Sequence, residues 1–118
     1  MPWPLGELIV SKSPEAWILV LRGEHDLSTS DTLVAELDAV FAHGTRVVVD
    51  LGETTFVDST ILNALFHGYR RSQEKLEDAL VVVAPPGSMA RRILDLVGFG
   101  DVLPIYDSRN EALTAMSG

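Results

Sequence analysis

Six consecutive apolar residues, Ala79-Leu80-Val81-Val82-Val83-Ala84, form a run of strand length with no polar position to turn toward water. Such a run suits a parallel strand covered on both faces, whereas a strand with one wet face would alternate. Val47-Val48-Val49-Asp50-Leu51 is a second strand, rich in β-branched residues. Between the two, Ile61, Leu62, Leu65, Phe66 and Tyr69 recur at helical spacing. Strand, helix and strand in this order predict right-handed crossovers and a largely parallel sheet.

The flanking segments extend the pattern. Leu8 to Ser11 and Trp17 to Arg22 read as an opening hairpin about Ser13-Pro14-Glu15. Gly23 to Leu27 is expected as a loop, with His25 exposed in it. Ser28 or Thr29 then opens a helix whose Leu33, Leu37, Val40 and Phe41 share a face. Ser28 and Asp31 have capping-box spacing, and Gly44 suits the helix stop. Pro85-Pro86-Gly87-Ser88 leads into a third helix bearing Ile93, Leu94 and Val97, which Gly98 ends. Val102 to Tyr106 gives a last strand. Ser108-Arg109-Asn110-Glu111 caps a final helix carrying Ala112, Leu113 and Met116. The expected class is α/β, a mixed, mainly parallel sheet of about five strands with about four helices. At 118 residues and 47% hydrophobic, residues 1–118 suit one domain.

A formal charge of −8 argues against nucleic acid or an anionic membrane surface as partner, since both would repel the chain as a whole. The absence of cysteine excludes disulfides, thiolate metal sites and a Cys nucleophile. Met1-Pro2-Trp3-Pro4-Leu5-Gly6 lacks the basic start and apolar core of a signal peptide. No apolar run approaches the ~18 residues of a membrane span. These features predict a cytoplasmic protein with no direct membrane insertion. No residue spacing calls for a metal or a cofactor.

The strongest candidate for chemistry is Ser59 in Thr54-Thr55-Phe56-Val57-Asp58-Ser59-Thr60, where an apolar strand and short loop give way to a helix. A phosphoryl group there would meet exposed N–H groups and the positive end of the helix dipole. The competing reading is a plain N-cap, a role that serine commonly takes and that local chemistry alone favours. His25, Asp26 and Ser59 have the residue types of a hydrolytic triad, but Val57 and Ile61 stand where a nucleophile elbow needs glycine. Asp50 ends a strand as a receiver-domain aspartate does. Neither the acidic pair nor the lysine of such a site is present, so Asp50 is expected to bond loop backbone. On the second helix Asn63, His67, Arg70, Arg71 and Glu74 form a polar strip, with Ala64 and Gly68 leaving a shallow lane for a partner. Ordinary solvent exposure is the alternative.

Taken together, Gly23-Glu24-His25-Asp26, Val47 to Leu51, Phe56-Val57-Asp58-Ser59-Thr60, Ala84-Pro85-Pro86 and Leu96-Val97-Gly98-Phe99 resemble the STAS domain of anti-sigma factor antagonists. The resemblance implies a small non-enzymatic α/β domain that binds an anti-sigma factor kinase of the GHKL ATPase type. It implies Ser59 as phosphoacceptor, Asp26, Asp58 and Thr60 beside it, release on phosphorylation, and resetting by a serine phosphatase. Glu24, Ile61, Asn63, Ala64, His67 and Arg71 would then line the partner surface. Members commonly carry Gly-Leu-Gly after the hydroxyl pair, where this chain has Ile61-Leu62-Asn63, which marks an exposed Ile61 as a specificity element, with burial against the sheet as the alternative. The alternative within the family is an unphosphorylated module of a sensory or transporter-associated assembly.

Overall fold

The two apolar runs become neighbouring parallel strands in the computed structural model, which describes residues 6–25, 27–42, 46–75 and 79–117. Strand β3 (Val47–Val57) pairs with β4 (Leu80–Val83) from Val47 opposite Leu80 to Asp50 opposite Val83. Strand β1 (Glu7–Lys12) forms the expected antiparallel hairpin with β2 (Trp17–His25), and β2 lies parallel to β3. Strand β5 (Ile105–Tyr106) adds parallel to β4, so the five strands stand in sequence order.

Helices α1 (Leu27–Phe41), α2 (Ser59–Lys75) and α3 (Met89–Leu96) accompany the sheet, with α4 (Arg109–Met116) closing the chain. The main core joins Leu19, Val49 and Val82 of the sheet to Leu33, Leu37, Leu65 and Leu94 of the first three helices. The opposite sheet face presents Val48, Val81 and Val83, which pack against Ala112 and Met116 of α4. Both faces of β3 and β4 are thus covered, which is what their unbroken apolar runs require. Each large aliphatic side chain buried this way contributes about 1.5 to 3 kcal/mol.

Helix α4 is also tied down by charge. The Asp50 carboxylate, 9% exposed, accepts from Arg109 Nε at 2.9 Å and Nη2 at 2.8 Å through one oxygen. Its other oxygen accepts the Gly52 N–H at 2.8 Å. Asp50 therefore does bond loop backbone, and it carries the α4 anchor in addition.

The structure departs from the expected boundaries in four places. Strand β3, expected to end at Leu51 and pass through a short loop, runs on to Val57. Residues 23–25, expected as loop, continue β2: Gly23 at φ 81° and two register shifts let the strand bulge and stay beside β3. Consequently His25 is fully buried, not exposed in a loop. Val102 lies outside the last strand, because Gly98 at φ 70° turns the chain left-handed into a 3-10 turn at Phe99–Asp101. Helix α1 begins at Leu27, ahead of Ser28. The Ser28 side chain, Gly44 and Asp26 lie outside the described residues. Ser108 caps α4 as expected, its Oγ accepting the Glu111 N–H at 3.2 Å.

Candidate functional site

Register brings the two quoted motifs together. Glu24 stands opposite Phe56 and His25 opposite Val57, so the chain leaving β2 and the chain leaving β3 emerge side by side. Asp58 and Ser59 follow directly on β3. Glu24 and Phe56 are both exposed at this rim.

The cap of α2 is Asp58. Its Oδ1 accepts the Thr60 N–H at 2.9 Å and the Thr60 hydroxyl at 2.5 Å, with the Ile61 N–H at 3.4 Å. One carboxylate oxygen thereby meets the first-turn donors that a serine cap would have met. The plain N-cap reading of Ser59 does not hold. Ser59 is the first residue of the helix, exposed, and among the described residues its hydroxyl has no hydrogen-bond partner. The neighbouring hydroxyl differs: Thr60 is half-buried and holds its proton on Asp58. Of the two adjacent hydroxyls, Ser59 is the one presented to solvent at the positive end of a 17-residue helix.

His25 takes no part in activating that hydroxyl. Its Nε2 lies 2.8 Å from the Arg22 carbonyl, an acceptor only, so Nε2 carries the proton. Nδ1 is hydrogen-bonded with the Thr29 hydroxyl at 3.1 Å. Both ring nitrogens are engaged in joining the bulged end of β2 to the first turn of α1. Among the described residues no group of three His, Asp or Glu side chains converges as a metal site.

The expected partner strip on α2 is reduced by packing. Ile61 is fully buried and Ala64 is 3% exposed, so neither offers surface to a partner. Ile61 points into the main core beside Leu65 because residues four apart share a helix face. The lane over Ala64 and Gly68 is filled by α1: a Cβ on Gly68 would lie 2.7 Å from Leu37 Cδ1. Small residues here admit the neighbouring helix, not an outside partner. His67 and Arg71 remain half-exposed but turn toward Asp38 of α1, at 3.0 and 3.7 Å. Asn63 stays exposed.

Asn63 stands between two depressions. One, between α1 and α2, is polar at its mouth, with Ser30, Thr60 and His67. The other encloses about 300 Å³ between α2 and the turn after α3, walled by Leu62, Phe66, Val97, Phe99 and Val102, with Ser59 at its rim. The Phe66 and Phe99 rings meet at 6.3 Å across its floor. Sequence reading missed this groove and the capping role of Asp58. The cap had a signal, an aspartate immediately before an amphipathic helix, while Val97 had been assigned to an apolar helix face.

Comparison with known proteins bears on the family and the fold. Residues 8–104 match the family model described as "Mlab, STAS domain". The anti-sigma F factor antagonist of Paenibacillus polymyxa is 32% identical over 102 residues, covering 84% of this chain and 85% of that one. The crystal structure of an anti-sigma factor antagonist from Mycobacterium paratuberculosis superposes with a TM-score of 0.85 at 26% identity, covering 97% of this chain and 96% of the other. The anti-sigma factor antagonist SpoIIAA in its unphosphorylated form shares the fold, with a TM-score of 0.73 at 16% identity over 97% and 99% of the two chains.

Proposed function

This chain belongs to the STAS domain family, and from that membership together with the geometry at Ser59 we propose that it is an anti-sigma factor antagonist switched by phosphorylation of Ser59. The observation that carries the switch is the exposed Ser59 hydroxyl, without a hydrogen-bond partner among the described residues because Asp58 supplies the cap. The unphosphorylated protein binds an anti-sigma factor that is itself a serine kinase of the GHKL ATPase type, and so releases a sigma factor. Phosphorylation ends that binding, and a serine phosphatase restores it. The antagonist is ligand and substrate, not enzyme, and works in the cytoplasm. No helix among the described residues is long and apolar enough to cross a membrane.

Phosphate on Ser59 adds a charge of about −1.5 to −2 at the docking surface without touching the core. The helix dipole favours that anion by about 0.3 to 2 kcal/mol. A carboxylate ~5 Å away at an effective dielectric near 20 opposes each unit of charge by about 3 kcal/mol. Asp58 therefore turns the phosphate outward, toward the partner. Asp26, the second acidic residue proposed for this site, would act in the same sense.

The test is capture with unphosphorylated protein, followed by incubation of the captured partner with ATP and magnesium and intact-mass measurement with peptide mapping. One phosphate on Ser59, absent from Ser59→Ala, is expected, with loss of binding in the modified protein. Phosphate on Thr60 alone, or equal affinity of both forms, would refute the switch.

A further inference from the structure

The groove beside Ser59 is lined almost wholly by carbon, and its lip is unusually open for apolar residues. Val97 is 58% exposed, Val102 42%, and Leu96, next to Val97 in the chain, 80%. One wall is a helix face, Ser59, Leu62 and Phe66 following at steps of three and four residues. The other wall is fixed by the left-handed Gly98 and the 3-10 turn behind it, so Val97 and Val102 are held out by backbone geometry. Clustered apolar side chains presented in this way mark an interaction surface.

We propose that this groove receives the apolar face of an amphipathic helix of the anti-sigma factor, and that the helix carries a Lys or Arg toward Asp101. The proposal rests on the reading of the chain as an antagonist and adds where and by what chemistry its partner is held. Charge decides the occupant. Asp101, between Phe99 and Val102, is exposed and has no ion-pair partner among the described residues. A second copy of this chain would set Asp101 against the copy's Asp101 in a two-fold contact and would bring a formal charge of −8 to meet another. An anionic membrane is repelled for the same reason. At the far end the Arg70 guanidinium lies 5.2 Å above the Phe66 ring, which gives the groove a cationic end and thus a polarity for the incoming helix. Anchors at helical spacing fit a wall built at the same spacing.

Ser59 at the rim gives the groove a means of control. A phosphate there is bulky and hydrated, and a helix seated in the groove would have to strip its water.

The experiment uses the protein captured by unphosphorylated bait, purified and assayed for phosphorylation of Ser59, with calorimetry and kinetic binding. Val97→Asp and Val102→Asp are expected to weaken binding at least about tenfold while melting within a few degrees of wild type, since both side chains are largely exposed and central contacts dominate such surfaces. Asp101→Asn should slow association and flatten its salt dependence. Ile9→Asp, on the far edge of the sheet, should change nothing. A photo-crosslinking residue at position 97 should label a helix of the partner that bears apolar residues beside a basic one. A partner that binds wild type and both aspartate variants equally overturns the groove and leaves the antagonist reading intact. A protein sensitive to Val97→Asp that neither phosphorylates Ser59 nor responds to its phosphorylation overturns the kinase reading and leaves the groove. A crosslink to a second copy, or no binding protein at all, overturns the proposal.

Discussion

Replacing Ile61 with glycine separates burial from recognition. Ile61 has no exposed surface and packs in the main core with Leu65 and Leu80. Truncating a buried isoleucine to alanine costs about 2 to 5 kcal/mol through lost transfer energy and the cavity left behind. Taking the last carbon to give glycine adds about 1 kcal/mol in a helix. The sum, about 3 to 6 kcal/mol, is a large part of the roughly 5 to 15 kcal/mol that holds a domain together. At this length 1 kcal/mol moves the melting temperature by about 4 °C, so Ile61→Gly should lower it by about 12 to 24 °C. Ile61→Val, at about 0.5 to 1.5 kcal/mol, should lower it by about 2 to 6 °C. Urea unfolding at fixed slope measures the free energies, and calorimetry with the partner at a temperature where both variants are folded measures affinity. Affinity should stay at the wild-type value, because the side chain never reaches the surface. An Ile61→Gly protein that melts with wild type, or one that stays folded and loses its partner, would refute the reasoning.

Asp58→Ala should destabilise by about 1 kcal/mol through loss of the cap and slow Ser59 phosphorylation, since the serine can then serve the vacant donors; Asp58→Asn should keep the cap. Equal phosphorylation rates in the two variants, read by intact mass over time, would show that the cap does not govern the acceptor. Arg109→Met leaves the Asp50 carboxylate buried beside α4 without its cation, and should cost about 1.5 to 3 kcal/mol in urea unfolding; adding Asp50→Asn should recover part of it. His25→Phe fills a similar volume but removes the ring's hydrogen bonds to the Arg22 carbonyl and the Thr29 hydroxyl, so a loss of about 1 to 3 kcal/mol is expected, and unchanged stability would mean that the two hydrogen bonds carry nothing.

Much of the fold was legible because apolar periodicity is a direct image of burial. The unbroken run at Ala79–Ala84 could only be a strand covered twice, and the faces of α1 and α2 followed from spacing. The site was legible as a motif but not as a geometry. His25 looked like a loop residue because Gly23 breaks the strand pattern, and nothing local reveals that a bulge lets β2 continue and turns the ring inward. Ser59 looked like a cap because serine so often is one, and Asp58 stood one place earlier with the same capability. Ile61, apolar at helical spacing, was open to both surface and burial. Ala64 and Gly68 were read as outer surface because helical spacing says which residues share a face, not how wide the buried face is. Here α1 lies over part of α2 and widens it. The groove needed the left-handed turn at Gly98, which brings residues about forty positions beyond Ser59 back alongside it.

The unequal lengths of the strands have a consequence for how a signal stays local. Strand β3 keeps β4 as a neighbour only as far as Asp50, while its pairing with β2 runs on to Val57. Strand β1 in turn reaches only Arg22 of β2, which stands opposite Glu53, so beyond Glu53 the hydrogen-bonded ladder is a two-stranded, bulged ribbon, and Ser59 follows from its tip. The ladder bonds of such a ribbon open more readily than those of the central sheet. Amide hydrogens from Thr54 to Val57 should therefore exchange faster than those from Val47 to Asp50. If Ser59 is modified as proposed, exchange should change from Thr54 to Val57 and stay at the unmodified rate from Val47 to Asp50, which would keep the signal in the ribbon and leave the sheet behind it intact.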